Sequence, residues 1–253
     1  MLEMRPWNWA SLTLAVAVTL ATGQARATTV SFGDSVRYWP HYGNGTSDDS
    51  RDTIGTPDLL GGTATFNDST GLLTSISIGY TGHFSPVASG DARVIPGDLF
   101  LDVGGDGHWD YVMKLVAGSQ TPVANYASLS ILDVSAIASP SYLFSGSDDT
   151  GYWADYRIRD RHPYAWNGGG TQIGTGNLTG FNQLASGGTL GFGLGNGIAI
   201  NGNLTIGFAP SCANDVLFAN VSVPVVVPEP STALTFGIGL VALTRGRRAL
   251  RRA

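Results

Sequence analysis

Between Thr28 and Val227 the chain carries seventeen Asp, a single Lys (Lys114) and no Glu. That imbalance constrains the fold more than any other feature. Exposed helix faces are normally built from Glu, Lys and other straight-chain residues, which lose little rotamer freedom there. Asp instead bonds nearby backbone N–H groups and favours turns. This segment therefore lacks the material for surface helices. Gly supplies 35 of 253 residues, about twice the usual share, and adds to the supply of turns.

The apolar residues alternate with period two, as half-buried strands require. Leu72, Thr74, Ile76, Ile78 and Tyr80 fall on one face of a predicted strand. Tyr152, Ala154, Tyr156 and Ile158 share another, with Trp153 on the opposite, polar face. Leu204, Ile206 and Phe208 alternate in the same way, as do Leu217, Ala219, Val221, Val223 and Val225. Gly, Asn and Asp clusters such as 168–170 and 193–197 separate these runs, and no ten-residue stretch holds a helical stripe. The pattern predicts an all-β body, a β-sandwich or jelly roll, as one domain over residues 28–226.

Seven basic residues stand against the seventeen Asp, a formal charge of −10 for this segment. That balance argues against a nucleic-acid partner, because phosphate binding needs Lys and Arg. A lone cysteine, Cys212, excludes an internal disulfide. Free Cys residues are mostly small buried hydrophobes, and that is its expected role.

Both ends carry export signals. Arg5 precedes an apolar run from Leu12 to Ala21, followed by Ala25-Arg26-Ala27. This is the charged, apolar and small-residue order of a secretory signal peptide over residues 1–27. The run of about ten residues is too short to span a bilayer, which needs about 20. At the other end Val227-Pro228-Glu229-Pro230 opens a tail over residues 227–253. The prolines keep that segment extended, the form a protease cleft binds. Residues 232–244 are apolar, and five Arg follow at 245, 247, 248, 251 and 252. Thirteen helical residues rise about 20 Å, short of the ~30 Å hydrocarbon core, and the arginines fix their end on the cytoplasmic side.

A Pro-Glu-Pro motif, a short apolar helix and a basic end together resemble the PEP-CTERM sorting signal of Gram-negative bacteria. The resemblance covers about 25 residues. It implies passage through the Sec machinery, transient inner-membrane anchoring by a short transmembrane helix, and processing near Pro228–Pro230 by an exosortase. It also implies a final place at the cell surface or in an extracellular polysaccharide matrix. A glycolipid-anchor signal would end apolar instead.

Three features of the body are candidates for chemistry. In the run 96–112, Asp102, Asp106 and Asp110 flank a Gly-rich turn. With backbone carbonyls they offer oxygen ligands for calcium. The run resembles the first half of an EF-hand or dockerin loop, but Gly104 and Met113 occupy ligand positions and the flanks read as strands. A turn that binds nothing explains the same residues, and the sequence leaves both readings open. A second acidic stretch, 45–52, could also hold a cation, as more weakly could the pair Asp148-Asp149, but both read better as solvated loops. Trp39, Trp153 and Trp166 are the rings singled out for stacking on sugars, against the alternative that they fill the core.

No nucleophile elbow, phosphate loop or zinc-protease motif occurs, and His41, His83, His108 and His162 lack zinc-site spacing. The expectation is a non-catalytic surface or matrix protein with affinity for extracellular polysaccharide. The alternatives are a carbohydrate-binding module and a secreted glycosidase or polysaccharide lyase built on Asp carboxyl groups.

Overall fold

The computed structural model describes residues 26–39, 51–84, 94–116, 126–145, 159, 161–181 and 185–223. Every regular element among them is a strand. In chain order these are β1 (Ala27–Phe32), β2 (Asp58–Asn67), β3 (Leu72–Thr81), β4 (Pro96–Val103), β5 (Tyr111–Leu115) and β6 (Tyr126–Asp133). They continue as β7 (Tyr142–Phe144), β8 (Pro163–Trp166), β9 (Thr171–Thr179), β10 (Gly187–Ala199), β11 (Asn203–Pro210) and β12 (Leu217–Ser222). The predicted strand at 152–158 and the sorting residues Val227, Pro228, Glu229 and Pro230 lie outside the described residues, as does the signal sequence before Arg26.

Ten strands form one sheet in the order β1-β2-β3-β10-β9-β6-β5-β4-β11-β12, and β7 pairs with β8 in a separate hairpin. Each neighbouring pair whose register is resolved is antiparallel. Adjacent strands twist by about −20 to −25°, so a sheet this wide curls unless something flattens it. Here it curls nearly into a barrel. β12 comes to lie against β1 and β2, yet no ladder joins it to either. That unladdered junction is the seam of the barrel.

The expectation of two stacked sheets thus gives way to one sheet rolled on itself. Period-two alternation marks a strand with one buried face, and a sandwich wall and a barrel wall present that face alike. Leu204, Ile206 and Phe208 point inward as expected, as do Leu217, Ala219 and Val221. In β3, Ile76, Ile78 and Tyr80 are buried, but so is Leu73 rather than Leu72. The register against β2 slips between Thr65 and Phe66, and an extra residue in one strand swaps its inward side.

A second apolar layer lies outside the barrel. On β4, Leu99 and Leu101 face the interior while Phe100 faces out. Met113 and Val112 divide in the same way on β5. Over this outer face the β7–β8 hairpin and flanking loops pack Trp39, Trp109, Tyr142, Tyr164, Trp166 and Val216. The Trp39 ring meets Phe100 at 5.1 Å and Trp109 at 5.6 Å, both edge to face. Asp98, 3 % exposed, fastens the hairpin by accepting from Leu115 N (2.9 Å) and Trp166 N (2.8 Å). β4 is consequently buried from Pro96 through Asp102.

Trp39 and Trp166, candidates for stacking on sugars, are 0 % and 1 % exposed. Neither ring offers a face to solvent, so both belong to the outer core. Burial of their large apolar area fits the alternative that they fill the core. Cys212 is also buried, and its thiol donates to Asn214 Oδ1 at 3.0 Å.

Candidate metal centre

Three loops meet at one end of the seam. The first leaves β1 through Gly33-Asp34-Ser35, the second enters β2 through residues 51–57, and the third joins β11 to β12 through residues 211–216. Backbone and side-chain bonds hold them together. Ile54 N donates to Asn214 O at 2.9 Å, and Asn214 Nδ2 donates to Thr56 O. Arg159, 1 % exposed, donates from its guanidinium to the carbonyls of Arg37, Arg51 (3.3 Å) and Asp52 (2.6 Å). One buried cation thereby fixes the first two loops side by side.

The fixed loops bring Asp34, Asp52 and Asp215 into one cluster. One carboxylate oxygen from each lies within 4.8 Å of the other two. Unit charges at that spacing repel by roughly 3–4 kcal/mol per pair at an effective dielectric of ~20. Burial and then the charges of Asp215 and Asp52 push the Asp34 carboxyl up to about 8. The Val36 and Ser35 N–H groups oppose that rise, but neither reaches the oxygens with hydrogen-bond geometry. Burial also raises Asp215, to about 7, against the bonds it accepts from Leu59 N and Val216 N. Asp52 is raised by burial despite the neighbouring Arg159. Asp58 stands nearby, its oxygens taken by the hydroxyls of Thr53 (2.9 Å) and Thr81 (3.3 Å).

Clustered, desolvated carboxylates need protons or a cation to offset their charge. The oxygen-only donor set suits a hard cation and not zinc or copper. No protein-family model, curated protein or solved structure matches this chain. The chemistry of the cluster therefore stands on its own geometry.

Asp102, Asp106 and Asp110, the candidate calcium ligands, lie in or beside the β4–β5 turn and accept backbone N–H bonds there. Asp102 accepts from the N–H groups of Gly105 (2.9 Å), Asp106 (3.2 Å) and Gly107 (2.9 Å). Asp110 accepts from Val103 N at 2.6 Å, and exposed Asp106 accepts from His108 N at 2.9 Å. Among the described residues Asp34, Asp52 and Asp215 form the one group of three that gathers its oxygens within 4.8 Å. Of the second acidic stretch, 45–52, the described Asp52 joins that cluster. Trp153 and the Asp148-Asp149 pair lie outside the described residues.

Asp34 and Asp215 were absent from the sequence candidates because each is a lone Asp beside Gly or Asn, an ordinary turn composition. No local signal marks them. They meet because β1 and β12 border the same seam.

Proposed function

We propose that this chain is an exported surface protein whose β body is freed outside the cell when a membrane protease cuts its tail near Pro228–Pro230. The observation that carries this reading is the tail itself, where Val227-Pro228-Glu229-Pro230 leads into thirteen apolar residues and an Arg-rich end. The placement of the strands supports it. β1 begins at Ala27 and β12 ends at Ser222, so cleavage after Ala27 and near Pro228 leaves the ten-stranded sheet essentially whole.

The body acts as a non-catalytic scaffold in an extracellular polysaccharide matrix. Two of its buried carboxylates, Asp98 and Asp102, fit that reading, because they spend their oxygens on backbone N–H groups. Intact mass of the native protein in the culture medium and cell fractions tests the proposal. An exported species starting near Thr28 and ending close to Pro228 is expected. A cytosolic species retaining Met1 and Ala253 overturns it.

A further inference from the structure

We infer that the Asp34–Asp52–Asp215 cluster binds one hard divalent cation, with Ca²⁺ the best match, and that the ion locks the seam where β1, β2 and β12 meet. The inference is independent of the export reading. It begins from orphaned atoms. Both carboxylate oxygens of Asp34 and Oδ1 of Asp52 each expose less than 1 Å² and have no hydrogen-bond partner. Buried polar atoms are otherwise paired almost without exception. These orphans belong to two of the three residues that each bring one carboxylate oxygen within 4.8 Å of the others, beside the fully buried Asp215, and among the described residues Arg159 offsets only Asp52.

Arg159 does not fill that place. Its guanidinium is directed to the carbonyls of Arg37, Arg51 and Asp52, where it shapes the cluster from behind. One guanidinium does not offset three carboxylates, and a divalent ion displacing their protons would. Asp215 already accepts from Leu59 N and Val216 N, which holds its carboxylate in place and leaves lone pairs for an ion. All three ligands stand on loops from separate parts of the chain. Irregular oxygen sets of this kind suit Ca²⁺, which tolerates varied geometry, better than Mg²⁺, which demands a near-ideal octahedron.

The position gives the ion its role. Asp34 follows β1, Asp52 precedes β2, and Asp215 precedes β12. These are the strands that touch across the seam without a ladder. An ion bridging them adds to the few loop hydrogen bonds that join the two sides where no strand ladder does.

Thermal unfolding of the full chain in CaCl₂ and in chelator, with Ca²⁺ binding followed by calorimetry, tests this. One bound Ca²⁺ per chain is expected, with a melting temperature higher by about 5–10 °C at a hundredfold excess over Kd. Asp34→Asn should erase the calcium response. Asp106→Asn, in the β4–β5 turn, should respond as the parent does. Absence of binding to the parent at millimolar Ca²⁺ overturns the inference. So does a calcium response that survives Asp34→Asn or vanishes with Asp106→Asn. Should Asp34→Asn fail to fold, the parent and Asp106→Asn still decide it: one bound Ca²⁺ in both supports the site, and any other pair of results removes it.

Discussion

The backbone N–H of Trp39 donates to Nε2 of His162 at 3.2 Å, across a separation of 123 residues. The other ring nitrogen, Nδ1, bonds the carbonyl of Pro163 at 2.9 Å. Nε2 can accept only when it carries no proton, so the imidazole is neutral with its hydrogen on Nδ1. The loop after β1 is thereby tied to the strand entering the outer hairpin.

That tie makes the fold sensitive to acid. Burial above all, with the charge of Arg159 beside it, lowers the His162 pKa from 6.5 to about 3. A group whose folded pKa lies below its unfolded value contributes fully above the unfolded value and loses that contribution as pH falls toward the folded one. His162→Gln keeps an acceptor without a titration in this range. Between pH 7 and 4 the parent should lose on the order of 3 kcal/mol relative to this variant, read from urea midpoints. The comparison also cancels Asp98, which burial raises to about 6 and which favours the fold as pH falls. Parallel stability curves would remove His162 as a source of acid sensitivity.

Trp39→Ala should act as a core truncation. The ring is 0 % exposed and its Nε1 donates to Leu217 O at 3.1 Å. A loss of about 3–5 kcal/mol is expected in chemical denaturation. An unchanged midpoint together with lost retention on polysaccharide would restore the sugar-stacking role.

Gly207 sits in β11 beneath two indoles. A methyl group there would lie 2.7 Å from Trp109 Cη2 and 3.4 Å from Trp39 Cζ2. Gly207→Ala should therefore force the Trp109 ring to move and destabilise by about 1–3 kcal/mol, with an altered tryptophan emission maximum. A melting temperature equal to the parent's would mean that the outer layer yields freely.

In the β4–β5 turn, Asp102 and Asp106 should separate cleanly. Asp102→Ala strips an acceptor from three N–H groups and should lower stability by about 1–3 kcal/mol. Asp106→Ala removes one exposed bond and should stay within about 0.5 kcal/mol of the parent. Equal effects in thermal melts would argue against Asp102 as the organiser of the turn.

The strand character of this chain was legible because it is local. Leu204, Ile206 and Phe208 alternate in the sequence and line the barrel interior. The Gly-Asp run at 103–110 reads as a turn, and it joins β4 to β5. What stayed hidden depends on distant partners. Phe100 alternates with Leu99 and Leu101, yet all three are buried, because the β7–β8 hairpin covers the outer face. Rolling into one sheet leaves no mark on individual strands, since twist accumulates between them. The acidic cluster was illegible for the same reason. Asp34 and Asp215 are unremarkable until the first and last strands of the sheet are brought side by side.

The seam also sets the polarity of the whole body. Asp34 lies just beyond the end of β1 and Asp215 just ahead of β12, so the two strands run past each other in opposite directions. Ala27 and Ser222 therefore sit at the pole remote from the carboxylates. A tether attached at either terminus would pull on that pole alone, leaving the Asp34–Asp52–Asp215 cluster turned away from whatever surface holds the molecule.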